Sequence, residues 1–387
     1  MRRVGILNPT SVVGCGGGFQ YLLSLIAALS GRDDLDVVVF YDDPAFAQFC
    51  REFPVEGVQL PLTAEPVGRV VRALCTLCER RSPFLGRFSG LRRHQLDCLV
   101  SASSLAGFHL GIPLVAIVYD VMYKYFPGCA EYSFRERIAR DVLTRKLARV
   151  AQVTVVDSEK SKQDLVRFYG LDPARIRPIP LCPPPHVGRG ISEQTVRDVA
   201  AKYGLPDRFL FYPAQLWDHK NHRRLFEALA RLKDRDGIEI PAVLVGSRGE
   251  RGEGALKDVE TLGLARQIRY LGYVSEDELL ALYGGATALV FPSFGDYTNI
   301  PVLEAMALGT PVVCSNLFAM PEQIDGAGLL FNPFDVDEMA SQIHRIWRDA
   351  DLRADLARKG RKRVTALSMD AFAARWHDVV QEAAHAC

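Results

Sequence analysis

The chain has 387 residues, 48% of them hydrophobic and 24% charged, and a formal net charge of +1. Such a length holds two domains of ordinary size, each with its own core, and the balance of charge excludes a dedicated nucleic-acid binder, which carries a clear basic excess. No apolar run is long enough to span a membrane, and Met1-Arg2-Arg3 leads straight into a strand without the apolar core of a signal peptide, so the expected location is the cytoplasm.

Val4–Asn8 reads as the first strand, and Gly14, Gly16, Gly17 and Gly18 follow it ahead of an apolar helix, Phe19–Leu29. Glycines between a strand and a helix let the backbone approach a ligand closely, or serve as a flexible connector. Their spacing is not the dinucleotide GxGxxG, which ranks a dehydrogenase low. Val37–Tyr41 is the second strand. Between Arg69 and Arg93 stand seven arginines against one acid, Glu79, interleaved with Val70, Leu74, Leu77, Phe84, Phe88 and Leu91. A segment of that kind can lie in an anionic membrane interface with its apolar side down, and equally can be a solvated helix face over a core. Cys75 and Cys78 form a single CxxC pair with no second pair to complete a metal site. The nine cysteines, Cys15, Cys50, Cys75, Cys78, Cys98, Cys129, Cys182, Cys314 and Cys387, are odd in number and stand mostly in apolar runs, which suits reduced core thiols.

Asp97–Ser101 and Pro113–Tyr119 continue the strands, with Asp120 placed to cap the next segment. Tyr132–Arg149 has helical spacing, Gln152–Asp157 is a strand, Ser158 is an apt N-cap for the helix Glu159–Tyr169, and Arg175–Pro180 ends the first half. Pro183, Pro184 and Pro185 then stiffen the chain and forbid helix, which places an interdomain linker at Leu181–Gly190. The second half restarts with the helix Glu193–Tyr203 and the strand Phe209–Tyr212. Lys220 stands near the start of the next helix, where the dipole disfavours a cation unless an anion is bound as well. His219 and His222, three residues apart with no acid pair nearby, read as a solvated helix end rather than a metal site. Ile240–Gly246 opens onto Ser247, and Ile268–Leu271 onto Tyr273 and Val274. Asp335 and Asp337 directly precede a helix and read as caps.

The chemistry is most legible from Ala288 to Asn316. Ala288–Pro292 is apolar without alternation, as in a parallel strand covered on both faces. A polar loop, Ser293–Asn299, leads to a helix whose first turn tolerates Pro301 and whose end is marked by Gly309, and Thr310–Cys314 makes the next strand. Such a unit presents loop amides and the amino end of a helix to an anion, so a phosphate fits there. Asp296 and Glu304, one in the loop and one about a turn inside the helix, can face the same ligand, although an acid near a helix start is also stabilised by the dipole alone.

This stretch closely resembles the signature of the retaining glycosyltransferases of family four, also called group one, in which two acids are separated by seven residues and proline stands five after the first. Asp296, Pro301 and Glu304 hold those positions. The resemblance is dense over Phe209–Phe331 and looser over Val4–Pro180. It implies an α/β GT-B architecture, with two Rossmann-like doubly wound domains facing across a cleft: residues 1–185 for the acceptor, 186–367 for the nucleotide sugar, and 368–387 a helix crossing back to the first.

By the same resemblance Glu304 binds the ribose hydroxyls and Asp296 the transferred sugar, while Thr298, Asn299 and Ile300 present backbone to the diphosphate. Gly16, Gly17 and Gly18 also face the diphosphate and the acceptor. Ser247 belongs to the donor site, and Tyr273 and Val274 line the nucleobase pocket. Lys220 grips the diphosphate together with Gln215, which stands where the family has arginine. Tyr119 replaces the usual histidine and keeps a positioning role. Asp296 for glutamate and Tyr297–Asn299 for Gly-Phe-Gly are further departures, and they leave the donor sugar open. No metal and no cofactor are implied. The implied function is transfer of a hexose such as mannose from a nucleotide sugar to a hydroxyl of a glycan or lipid-linked acceptor, with Arg69–Arg93 as a peripheral contact to the inner face of an anionic membrane. A sugar-nucleotide epimerase of the same architecture and a non-catalytic subunit are the alternatives.

Overall fold

Short runs of aliphatic and β-branched residues build two parallel sheets in the computed structural model, which describes residues 1–8, 16–60, 89–102, 111–127, 133–249 and 252–385. The first unit joins Met1–Pro127 and Tyr132–Leu181 to Met369–Cys387, and the body of the second is Cys182–Ser368. In the first, β1 (Arg2–Asn8), β2 (Leu35–Tyr41), β3 (Glu56–Gln59), β4 (Cys98–Ser101), β5 (Leu114–Ile117), β6 (Val153–Val156) and β7 (Ile176–Pro178) lie in the order β3-β2-β1-β4-β5-β6-β7. Val4, Ile6, Leu7, Val38, Val39, Phe40 and Val100 are fully buried, as continuous apolar strands covered on both faces should be.

In the second unit β8 (Leu210–Pro213), β9 (Ala242–Val245), β10 (Ile268–Tyr270), β11 (Ala288–Phe291), β12 (Val312–Ser315) and β13 (Gly328–Phe331) take the order β10-β9-β8-β11-β12-β13. Strand order reverses between β1 and β4 in one sheet and between β8 and β11 in the other. Ligands of open parallel sheets bind outside the carboxyl ends of the strands at such a reversal.

The helix Met369–His385 returns the chain to the first unit. It buries Phe372, Trp376, Val380 and Ala383 there. Arg177 holds Glu382 by two hydrogen bonds at 3.0 and 2.6 Å, and His377 reaches Asp34 at 2.7 Å. Gly309 closes the helix Ile300–Leu308 in the left-handed conformation, at φ 79, which glycine adopts without the strain a Cβ brings. Asp335 caps Val336–Arg348 by accepting the amides of Asp337 and Glu338, and Asp120 accepts the amide of Met122. Ser158 accepts the Ser161 amide at the start of Glu159–Tyr169.

Three expectations change. The proline-rich segment is not wholly extended: Pro185–Arg189 forms a 3-10 turn, with Pro185 at the first position, where a missing amide hydrogen costs nothing. Of the apolar residues between Arg69 and Arg93, Leu91 is fully buried beside Leu7, Val38 and Phe40, which removes it from any outward face. Residues 61–88, with Cys75 and Cys78, lie outside the described residues, as does Gly14. His219 and His222 are buried rather than solvated. Among the described residues no helix is long and apolar enough to cross a membrane, and Cys50, Cys98, Cys182 and Cys314 are buried and joined in no disulfide.

His222 lies between Tyr212, with ring centroids 4.7 Å apart, and Phe226, and neither ring nitrogen has a hydrogen-bond partner among the described residues. Burial, followed by the nearby Lys220 and His219 charges, lowers its pKa to about 3. As pH falls from the ordinary histidine value toward 3, the unfolded chain takes up a proton that the folded chain refuses, so stability is lost by about 1.4 kcal/mol per pH unit. His222→Phe keeps a ring in the stack and removes the titration. Its stability advantage over the parent, read from unfolding at pH 6, 5 and 4, should widen by that amount per unit, and parallel curves would show that His222 does not carry this acid sensitivity.

Candidate active site

The reversal between β8 and β11 brings together residues 76 apart in the chain: Lys220 follows β8, Asp296 follows β11, and the Lys220 ammonium lies 2.9 and 2.7 Å from the two Asp296 oxygens. The local fold fixes both ends. Asp218–Lys220 is a 3-10 turn, and Asn221, left-handed at φ 63, sends its side-chain amide to the carbonyls of Pro292 and Pro333 at 3.0 and 2.8 Å. Tyr212 donates its hydroxyl to the Lys220 carbonyl at 2.6 Å, and Phe294 donates its amide to the His219 carbonyl at 2.9 Å. The loops after β8 and β11 are thereby tied to each other by backbone as well as by charge.

Ser293 donates its hydroxyl to Asp296, and His219 Nε2 lies 3.8 Å from the same carboxylate. Burial works to raise the Asp296 pKa, but Lys220, His219 and the hydrogen bonds outweigh it and hold the carboxyl below its usual range. The site therefore carries an ionised acid and an ammonium side by side at neutral pH. Such a pair is held by mutual charge and its hydrogen bonds rather than by solvent.

Glu304 sits in the first half of Ile300–Leu308, and its partners are different. Its side chain is 6% exposed, Oε2 accepts the Tyr283 hydroxyl at 2.6 Å, and Oε1 lies 3.1 Å from His186 Nε2. Burial, with the Glu304 carboxylate beside it, pushes the Tyr283 phenol well above its ordinary value, so it remains a donor. Asp296 and Glu304 thus occupy separate partner sets. Sequence reasoning finds neither His186 nor Tyr283: the first stands in a proline-rich segment, the second in an apolar helical run, and nothing about their spacing points to an acid so far along the chain.

The other expected site residues are placed as well. Ile300 opens the helix and Thr298 is half-buried beside it. Asn299, expected to offer its amide to a diphosphate, gives it to Gln323 Oε1 at 2.9 Å, while Gln323 returns its own amide to the Asn299 carbonyl at 2.7 Å. That clamp fixes the helix start and occupies the Asn299 N–H. Gln215 and Ser247 follow β8 and β9, and the two loops meet closely, because Gly246 at φ 143 would place a Cβ 2.5 Å from the Ala214 carbonyl oxygen. Tyr273, after β10, is 58% exposed, and Val274 is half-buried.

In the first unit, Gly16 caps the helix Gly17–Ser30 at φ 83, so Gly17 and Gly18 form its first turn instead of a free loop. Tyr119 follows β5, packs edge-on to Tyr21 with centroids 5.4 Å apart, and donates its hydroxyl to the Ala102 carbonyl at 3.3 Å. Among the described residues no group of three or more histidine, cysteine or acidic side chains gathers as metal ligands would.

Residues 193–363 match the family described as glycosyl transferases group 1, and residues 16–182 match the glycosyl transferase 4-like domain. The chain belongs to the group 1 glycosyltransferases. O-antigen chain mannosyltransferase B of Escherichia coli is 31% identical over 235 residues, which cover 60% of this chain and 61% of that protein. The match thus spans about three fifths of that relative. Sucrose-phosphate synthase from Thermosynechococcus elongatus superposes with a TM-score of 0.78 at 20% identity, covering 98% of both chains. HepE of Anabaena, solved with UDP and glucose, gives 0.74 at 17% identity, covering 100% of this chain and 99% of its own. These likenesses establish the GT-B fold for this glycosyltransferase.

Proposed function

We propose that this glycosyltransferase moves a hexose, mannose being the first candidate, from a nucleoside-diphosphate sugar to a hydroxyl of a glycan or lipid-linked acceptor, with retention at the anomeric carbon and in the service of cell-surface polysaccharide synthesis. The observation that carries this reading is the Lys220–Asp296 pair at the strand reversal of the second unit. An ammonium has three N–H donors, and Lys220 gives two of them to Asp296. The third can meet an oxygen of the leaving diphosphate.

The chemistry asks for such a pair. The bond from the sugar C1 to the diphosphate oxygen breaks, its electrons leave with the nucleoside diphosphate, and the acceptor oxygen forms the new bond as its proton passes to the departing diphosphate oxygen. Negative charge grows on the leaving oxygen and positive character on C1, so a fixed cation and a fixed carboxylate a few ångströms apart stabilise opposite ends of one transition state. Gln215, Ser247, Tyr273, Val274, Thr298 and Ile300 would surround the donor. The mannosyltransferase of Escherichia coli and the nucleotide-bound HepE support this choice of substrates.

A thermal-shift panel of sugar nucleotides tests it. A true donor at a hundred times its dissociation constant should stabilise the protein by about 2.7 kcal/mol. Consumption of that donor should then require an added acceptor, and consumption at the same rate without one would replace transfer by epimerisation or hydrolysis.

A further inference from the structure

We propose that His186 is a positioning residue for donor binding, holding the Glu304 carboxylate in the orientation in which it accepts the ribose hydroxyls. The proposal rests on the reading above that Glu304 is the ribose ligand. A carboxylate that is 6% exposed cannot rely on water to fix its plane, and each oxygen left bare would carry a desolvation cost. Tyr283 satisfies Oε2 and His186 satisfies Oε1, one donor on each oxygen. Each carboxylate oxygen has two lone-pair sites, so one remains on each for a pair of adjacent hydroxyls, which is the pattern a ribose 2′,3′-diol presents.

The turn that carries His186 is held from outside. Its last residue, Arg189, pairs with Glu276 at 3.1 Å. Glu276 Oε2 lies 3.7 Å from His186 Nδ1, beyond hydrogen-bond reach, so among the described residues the ring's one side-chain hydrogen bond is the one to Glu304. The contact to Glu304 assigns the hydrogen to Nε2, the nitrogen that faces the carboxylate. With an apolar side chain at this position, Oε1 would lose its donor and the carboxylate would be free to turn about its one bond to Tyr283.

Calorimetric titration of the full chain with UDP and GDP, beside their 2′,3′-dideoxy counterparts, separates positioning from scaffolding. The parent should prefer the ribose form of its cognate nucleotide. His186→Leu should weaken binding of that form by about tenfold, the worth of one hydrogen bond to a charged group, and leave the dideoxy form unchanged. His186→Gln places an amide N–H near the Nε2 position and should restore most of the affinity, whereas His186→Asn, whose shorter amide reaches only the Nδ1 position, should behave like His186→Leu. If His186→Leu does not fold, the Gln and Asn pair carries the same comparison. Equal loss for ribose and dideoxy nucleotides, or no loss for either, would overturn the proposal while the ribose role of Glu304 stands. A parent that does not distinguish the two nucleotides, with Glu304→Gln the same as the parent, would overturn both.

Discussion

Lys220→Ala is expected to lower turnover at least tenfold, which corresponds to about 1.4 kcal/mol of transition-state stabilisation. The loss has two sources in this geometry. The cation that would meet the leaving diphosphate is gone, and Asp296 keeps only Ser293 and the more distant His219, so burial is left to raise its pKa from the depressed value it has beside Lys220. The acid limb of the rate profile should therefore move to higher pH as the maximal rate falls. Steady-state rates across pH measure both effects, and a variant with the parent's turnover would remove Lys220 from the mechanism.

The second large effect separates the two acids. Asp296 touches the Lys220 ammonium, which we propose meets the leaving group, whereas Glu304 lies among His186 and Tyr283 in a separate set of partners. A carboxylate beside the reacting sugar matters more as positive character builds there than it does in the ground state, so Asp296→Asn should lower the maximal rate by about a hundredfold, or roughly 2.7 kcal/mol. A contact to the ribose is nearly the same before and during reaction. Glu304→Gln should accordingly raise the donor Michaelis constant by about tenfold and change the maximal rate by less than about threefold. Identical kinetic profiles for the two variants would mean that the pair acts as one unit.

Much of the architecture is readable in the sequence because each segment states its own preference. Continuous apolar runs such as Val37–Tyr41 and Ala288–Phe291 can be stable only with both faces covered, and Ser158, Pro301 and Gly309 mark helix ends by chemistry that acts within a few residues. The Lys220–Asp296 contact is not readable as a contact, since it follows from strand order, which no local pattern encodes. His186 escapes for a stronger reason. Its partner lies 118 residues away, and it is delivered by a turn in a segment whose prolines argue against helical structure. Burial of His219 and His222 runs against expectation because two histidines three residues apart at a helix start, with no acid pair near them in sequence, suggest a solvated end, whereas here Tyr212, Phe226 and Trp217 pack against them.

The return of the helix Met369–His385 to the first unit has a consequence for biosynthesis. Trp376, Phe372 and Val380 complete the apolar cover of a sheet whose strands are all made by residue 178, while the whole second unit is translated in between. At about 5–20 residues per second, that interval is on the order of ten seconds or more. During it the first unit lacks one wall of its core, whereas the second, contiguous from Cys182 to Ser368, can finish folding before the closing helix emerges. The usual amino-terminal-first order of folding is thus reversed for completion, and the exposed apolar sheet is the surface that a chaperone would have to shield.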